Sequence, residues 1–463
     1  VGLIADAGGC EVSKARWCLP LLAVAALTVA TTATACSRSS GTSKSSSSTV
    51  PNAAAAGAGD FGSLKAVCGP GDAKGATDVG VTDTTIRIGT MADPGATAQP
   101  GLDQELFDTA DAFVKWCNAA GGILGRTLQL DKWDSKLTEV AARMIQACPV
   151  DLSLVGNGEA FDSAGVDQRT KCKLPEVAGY VVSSQASHAP LSIQAIPASD
   201  HQSGLGGALR LLKAADPSIV GHVGQLSSQL QSVKDAGDRD RAAIKQLGFT
   251  EVYYDEAPIL VDNWRPYAQN LQTKGVQLFT IVNAPDNLAA LYRSLSDVGY
   301  FPKYALLPAN MYDTKLTKGA GTALKGNVLV VTNAVPFELA STHPATKQYL
   351  DMLAKYVPGA QPKALGINAF SSWLLFATAA KECGSQLTRT CLLDKARAVT
   401  DWNGGGLHAP THPGTASSSF SPCFLLMRAT ATGFVYDRAL TKPTNDIFNC
   451  DPKNVFDLQG FGK

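Results

Sequence analysis

From residue 85 onward the chain alternates two hydrophobic periods, one of about two residues and one of three to four, as strands and amphipathic helices do. Thr85 to Met91 reads as a strand. Gln104 to Ala119 reads as a helix, with Leu106, Ala110, Phe113 and Trp116/Cys117 on one face and a stop at Gly121-Gly122. The pattern goes on through a strand at 127–130, a helix at 138–147, a strand at 152–155, a helix at 163–171 and short strands near 177–182 and 192–196. It then restarts, with helices predicted at 202–214, 232–247, 264–274 and 286–298 between strands at 219–223, 251–254, 276–282, 304–307 and 328–331. Helices at 344–356, 368–382 and 392–398 lead to a terminal strand pair at 424–428 and 433–437. Such alternation predicts an α/β protein of two doubly wound lobes.

The first forty residues follow a different pattern. Lys14 and Arg16 precede an uncharged apolar run that ends in Ala33-Thr34-Ala35-Cys36, the layout of a secretory signal over residues 1–35. The run is short and rich in Ala and Thr, whereas a bilayer span needs about 20 strongly apolar residues. Its tail resembles the lipobox of bacterial lipoproteins, with Ala33 where Leu is usual, and makes Cys36 the expected lipid-attachment site. Plain cleavage after Ala35 is the alternative. Asp6 and Glu11 fit a signal poorly, so the true start is open. Residues 36–79 are read as a tether and N-terminal extension, because the Ser, Thr, Ala and Gly of 37–59 carry no apolar period. The expected location is the outer face of the cytoplasmic membrane.

Composition narrows the partners. Lys plus Arg and Asp plus Glu are 40 each, with no dense basic block, so nucleic acid is not an expected partner. Cys68, Cys117, Cys148, Cys172, Cys383, Cys391, Cys423 and Cys450 form an even set in an exported chain, and disulfides are the leading reading. Proximity along the chain suggests 68 with 117, 148 with 172, 383 with 391 and 423 with 450. No Cys-x-x-Cys pair occurs among them, so no metal is expected. The Gly-x-Ser-x-Gly elbow, His-Glu-x-x-His and the Walker loop are likewise missing from the sequence. The reading is a binding protein without cofactor, and not an enzyme.

Several strings carry a family resemblance: residues 80–89, the run Asn118-Ala119-Ala120-Gly121-Gly122-Ile123-Leu124-Gly125-Arg126, Leu154-Val155-Gly156-Asn157-Gly158, and Asn368-Ala369-Phe370-Ser371-Ser372-Trp373. Together they make the chain, over roughly 81–437, resemble the leucine/isoleucine/valine-binding-protein family of type I periplasmic solute-binding proteins, in lipoprotein form. The resemblance implies two lobes joined by three crossover segments that close like a clamshell. It places lobe one at 80–198 plus 338–400 and lobe two at 199–337 plus 401–463. Crossovers are expected near 196–200, 332–337 and within 402–420. It also implies a monomer that takes a small polar solute, an amino acid, amide or related compound, and delivers it to an ABC permease. A ligand sensor of the same fold, acting through a protein partner, is the alternative.

Ligands of parallel sheets settle beyond the carboxyl ends of the strands. That rule nominates Asn157, Gly158, Glu159, Ser183, Ser184 and Gln185 in lobe one, with Phe370 from the Asn368 string, and Gln225, Asn283, Asn310, Tyr312 and Asn333 in lobe two. Gly156-Asn157-Gly158 reads equally as a tight turn. Asn283 and Asn310 stand where the family's amino-acid binders usually present an acid, which leaves neutral polar solutes open. Asp286 could restore the acid, but after Pro285 it reads first as a helix N-cap. His408 and His412 are expected to be solvated loop histidines, and Trp402 with Gly404-Gly405-Gly406 a hinge-side loop.

Overall fold

A computed structural model describes residues 57–258, 260–414 and 420–461. The expected signal at 1–35, the expected lipid-attachment site Cys36 and the part of the expected tether up to residue 56 lie outside the described residues. Two sheets carry the fold. The first is wholly parallel, with β1 (Thr85–Ala92), β2 (Thr127–Asp134), β3 (Leu154–Val155), β4 (Glu176–Ala178) and β5 (Ser192–Gln194) in the order β2-β1-β3-β4-β5. β1 lies inside and is buried at Ile86, Ile88, Met91 and Ala92, whereas edge strand β2 is buried at Leu128 and half-buried or exposed elsewhere.

The second sheet has seven strands: β6 (Val223–Ser228), β7 (Glu251–Ala257), β8 (Leu278–Ile281), β9 (Tyr304–Leu307), β10 (Val328–Thr332), β11 (Leu425–Thr430) and β12 (Gly433–Tyr436). Their order is β12-β11-β10-β9-β8-β6-β7, parallel except that β11 runs against β10 and β12 against β11. The inner strands β8 and β10 are buried throughout, which explains why they read as unbroken apolar runs. At the far edge β7 carries acids paired outward, Glu251 with Arg241 and Glu256 with Lys234, and charge on an edge strand discourages further pairing.

The chain leaves the first sheet after β5, builds the second as far as β10, returns to the first with helices Pro344–Tyr356, Ala364–Cys383 and Arg389–Arg397, and crosses again to β11. The returning helix Ala364–Cys383 is buried on nearly every side. Its Trp373 stacks on Phe113 at 5.2 Å, and its Phe370 meets Phe61 at 4.8 Å. The three crossings hold one another. Gln194 and Gly414 exchange backbone hydrogen bonds, Ala409 N–H donates to Asn333 O at 2.8 Å, and Val335 N–H to Leu407 O at 2.8 Å.

The N-terminal extension at 60–79 packs on the fold: Phe61 is fully buried and Gln348 Nε2 donates to Asp60 O at 2.8 Å. One expectation changes here. His408 is buried, hydrogen-bonded to Ser371 Oγ at 2.8 Å through Nε2, because the glycine-rich stretch before it folds back and encloses it; burial pushes its pKa down to about 4. Trp402 is buried by the same fold and donates to Ser371 Oγ at 2.8 Å. His412, by contrast, is exposed. The four disulfides among the described residues each join cysteines consecutive in the sequence: Cys68–Cys117, Cys148–Cys172, Cys383–Cys391 and Cys423–Cys450.

Candidate functional site

Strand order reverses between β1 and β3 in one sheet and between β6 and β8 in the other. Crevices open at such points beyond the carboxyl ends of the strands. Ser228, just closing β6, and Val282 and Asn283, just past β8, accordingly line a cavity of about 400 Å³ between the two sheets. Its other walls are Leu102, Asp103 and Glu105 at the start of helix Gln104–Ala119, Tyr180 to Val182 beyond β4, Ile196 to Ala198 and Gln202 to Leu205 in the first crossover, Asn333 in the second, and Phe420, Ser421, Cys423 and Phe424 around the third. The C-terminal tail adds Asn454 and Val455. The volume is in the usual range for small-molecule sites, about 300–1,000 Å³.

Charge is concentrated where helix Gln104–Ala119 faces the second lobe. Lys363 Nζ lies 2.9 Å from Glu105 and 3.2 Å from Asp313, so one ammonium ties carboxylates from both sides of the cleft. Burial works against that ammonium, but the two carboxylates outweigh it and hold its pKa above the ordinary lysine range. Asp103 accepts the Tyr180 hydroxyl at 2.6 Å. Burial, reinforced by the charge of Glu105, raises the Asp103 carboxyl well above its usual range. Lys315 pairs with Asp286 at 3.3 Å. Asp286 is therefore in the first helical turn and ion-paired, while Ala284 occupies the N-cap position; the expected cap is displaced because Pro285 starts the helix.

At the opposite rim, helix Gln231–Gln246 closes on the first lobe. Arg239 donates to Val182 O at 3.1 Å and Ser184 Oγ at 3.3 Å, and Ser184 N–H donates to Asp235 at 3.3 Å. Asp240 accepts from Ser203 Oγ at 2.6 Å, and burial raises its pKa to about 6 against that hydrogen bond.

Of the nominated residues, the cavity brings together Asn283, Asn310 and Asn333. Asn310 Nδ2 donates to Asn283 O at 2.9 Å, and Asn283 Oδ1 accepts from Asn287 Nδ2 at 2.6 Å. The remainder lie off the lining. Asn157 and Glu159 are buried behind it, Asn157 Nδ2 donating to Glu176 at 3.2 Å. Gly158 lies under the Tyr180 ring, which a Cβ would strike at 2.3 Å, and the turn it belongs to has Gly156 at φ +64°. Ser183 caps the short helix Ser184–Ser187, accepting Ala186 N–H at 3.0 Å, so Ser184 belongs to that helix and Gln185 projects outward exposed. Gln225 is buried and donates to Gly237 O at 2.6 Å. Tyr312 stacks on Phe337 at 5.1 Å, and Phe370 belongs to the aromatic core.

The lining is mainly carbon. This departs from the polar site expected, because the polar residues at strand ends satisfy the protein's own backbone while the crossovers and tail supply Ile196, Pro197, Phe424 and Val455, and the end of β10 supplies Val331. The missed residues carried little signal. Tyr180 to Val182 were read as strand, and the strand stops at Ala178. Phe424 was also read as strand, and nothing in the tail pattern pointed to a cavity.

No curated protein matches the chain in sequence. The structure is similar to a fatty acid ABC transporter substrate-binding protein from Thermomonospora curvata, at 16% identity and TM-score 0.67 over 84% of this chain and 97% of that one. It is similar to a leucine-binding protein from Thermotoga maritima, at 14% identity and TM-score 0.61 over 76% and 97% of the two chains. The branched-chain amino acid transporter substrate-binding protein of Streptococcus pneumoniae, solved with isoleucine, matches at 16% identity and TM-score 0.61 over 76% and 100%. These likenesses show the fold. The sequence pattern of the periplasmic binding protein family matches residues 85–433, most of the chain, and with the two-lobed architecture beside it this chain belongs to that family.

Proposed function

We propose that the protein is an extracytoplasmic receptor of an ABC importer, which captures a solute between its lobes and presents the closed form to a permease. The observation that carries this reading is the cavity itself: its lining is drawn from loops and helices of the first lobe, from strand ends of the second and from all three crossovers, so a molecule inside touches the parts whose relative position closure would change. Contacts such as Lys363 to Asp313 and Arg239 to Val182 already join the two walls. A ligand adding contacts to both would shift the population of lobes toward the closed form. Binding, and not turnover, is the role: the buried charges of the site are ion-paired or hydrogen-bonded within the protein. The mainly apolar lining favours a ligand with an apolar body over a free amino acid. Attachment through Cys36 would hold the receptor near its permease.

A thermal-shift screen of the full chain against amino acids, amides, sugars, lipids and small organic acids tests the reading, with small-angle scattering before and after ligand. Saturation at 100 times Kd adds about 2.7 kcal/mol of stability. A shift with one chemical class, accompanied by compaction, is the expected result. Silence across the screen would point away from a solute receptor.

A further inference from the structure

Two features of the cavity bear on what it takes. The first is the apolar wall built by Phe424 and Val455. The tail that supplies Val455 lies beyond the matched family region, and it approaches helix Gly206–Ala215 only because that helix opens with two glycines: a Cβ on Gly207 would stand 2.5 Å from the Phe424 ring and 2.7 Å from Asn454. Cys423–Cys450 holds the same tail in place.

The second feature is electrostatic. Each lysine or arginine on the described lining already has protein partners: Lys363 between Glu105 and Asp313, Lys315 on Asp286, and Arg239 on Val182 O and Ser184 Oγ. An incoming carboxylate would have to break one of these pairs or lie buried without a counter-charge, and either is costly. Asp103, in contrast, accepts the Tyr180 hydroxyl through Oδ2, and no other side-chain hydrogen bond reaches its carboxylate among the described residues. It holds the left-handed backbone conformation at φ +56°, uncommon outside glycine and frequent at binding sites. Among the described residues no acceptor meets the buried Asn283 amide nitrogen, a neutral donor that a ligand hydroxyl oxygen can satisfy but that does not supply the counter-charge a carboxylate would need.

We propose that the cleft selects a ligand with an apolar body and a hydrogen-bond-donating head, a hydroxyl or an ammonium, and discriminates against carboxylate heads. The body lies along the wall of Phe424 and Val455, and the head donates to Asp103. This rests on the receptor reading above and narrows it.

Calorimetric titration of the full chain with 1-decanol, decylamine, decanoate and isoleucine, each below its aggregation concentration, tests it. Decanol and decylamine are expected to bind at least about tenfold more tightly than decanoate or isoleucine. Asp103→Asn, which keeps size and tolerates the left-handed backbone, should lower decylamine affinity about tenfold while leaving the other probes within about threefold. Val455→Asp, at a partly exposed tail position, should weaken the decyl probes about tenfold through loss of the apolar wall. Decanoate binding as tightly as decanol overturns the head rule, and isoleucine binding more tightly than the decyl probes overturns the apolar-body rule; in both cases the receptor reading survives. Failure of all four probes overturns this ligand class, and the receptor reading is then decided by the wider screen.

Discussion

The two sheets reach comparable order by different means. In the first, β3, β4 and β5 are only two or three residues long, so the hydrogen-bonded ladder between them is short. Three of the four disulfides lie around that sheet, with an aromatic cluster of Phe61, Phe113, Trp116, Phe370 and Trp373. In the second, strands of four to seven residues pair across seven positions in the sheet, and the one disulfide beside it ties the tail. Where the ladder is short, covalent links take over part of its work.

The strongest way to break the comparison is at Trp373, fully buried and in ring contact with Phe113 and Phe376. Trp373→Ala should cost roughly 3–5 kcal/mol in urea unfolding, since the cavity it leaves cannot be refilled by short strands. A loss below about 1 kcal/mol would show that the cluster does not carry the first lobe. The disulfides sharpen the same point. Closing a loop of 49 residues, Cys68–Cys117 is expected to contribute about 4 kcal/mol, against about 2.5 kcal/mol for Cys383–Cys391 with its separation of 8. Paired Cys→Ser variants compared by denaturation should fall in that order; equal losses would mean that chain entropy is not the source.

Between the lobes, His408 gives a pH-dependent contribution. Its folded pKa of about 4 lies below the ordinary 6.5, because burial disfavours the imidazolium. The stability it supports is therefore complete above pH 6.5 and is lost as pH falls toward 4. About 2 kcal/mol should disappear by pH 5. His408→Gln removes the titrating group, so the wild-type minus variant difference should shrink between pH 8 and pH 5. A pH-independent difference would contradict the burial seen at the crossover.

These regions were unequally legible from sequence. Unbroken apolar runs such as Val328 to Val331 and the Gly121-Gly122 stop reveal strand and helix from a short window, and the disulfide partners are consecutive cysteines, so pairing each cysteine with the next one suffices. The cavity was not, because its lining gathers Leu102, Val182, Phe424 and Val455 from positions hundreds of residues apart. Polar residues at strand ends stood out in the sequence, yet Ser183 and Gln225 serve backbone groups of the protein itself. His408 failed for a similar reason: a histidine among glycines and prolines looks solvated until the crossover folds over it.

The smallest effect expected is at Gly207, and it tests whether the tail belongs to the second lobe as firmly as the disulfides belong to the first. Its backbone is helical, so alanine there would by propensity alone gain about 1 kcal/mol. The added methyl, however, would meet Phe424 and Asn454 inside contact distance. Overpacking of that kind costs typically 1–3 kcal/mol. The net loss for Gly207→Ala should be about 1 kcal/mol, whereas Gly221→Ala, with nothing near its Cβ, should stay within about 0.5 kcal/mol of wild type. If the tail is a rigid wall of the cavity, Gly207→Ala must also weaken binding of an apolar probe such as 1-decanol. A variant that loses no stability and binds as before would mean that the tail yields freely, and that the apolar wall is set by the crossovers alone.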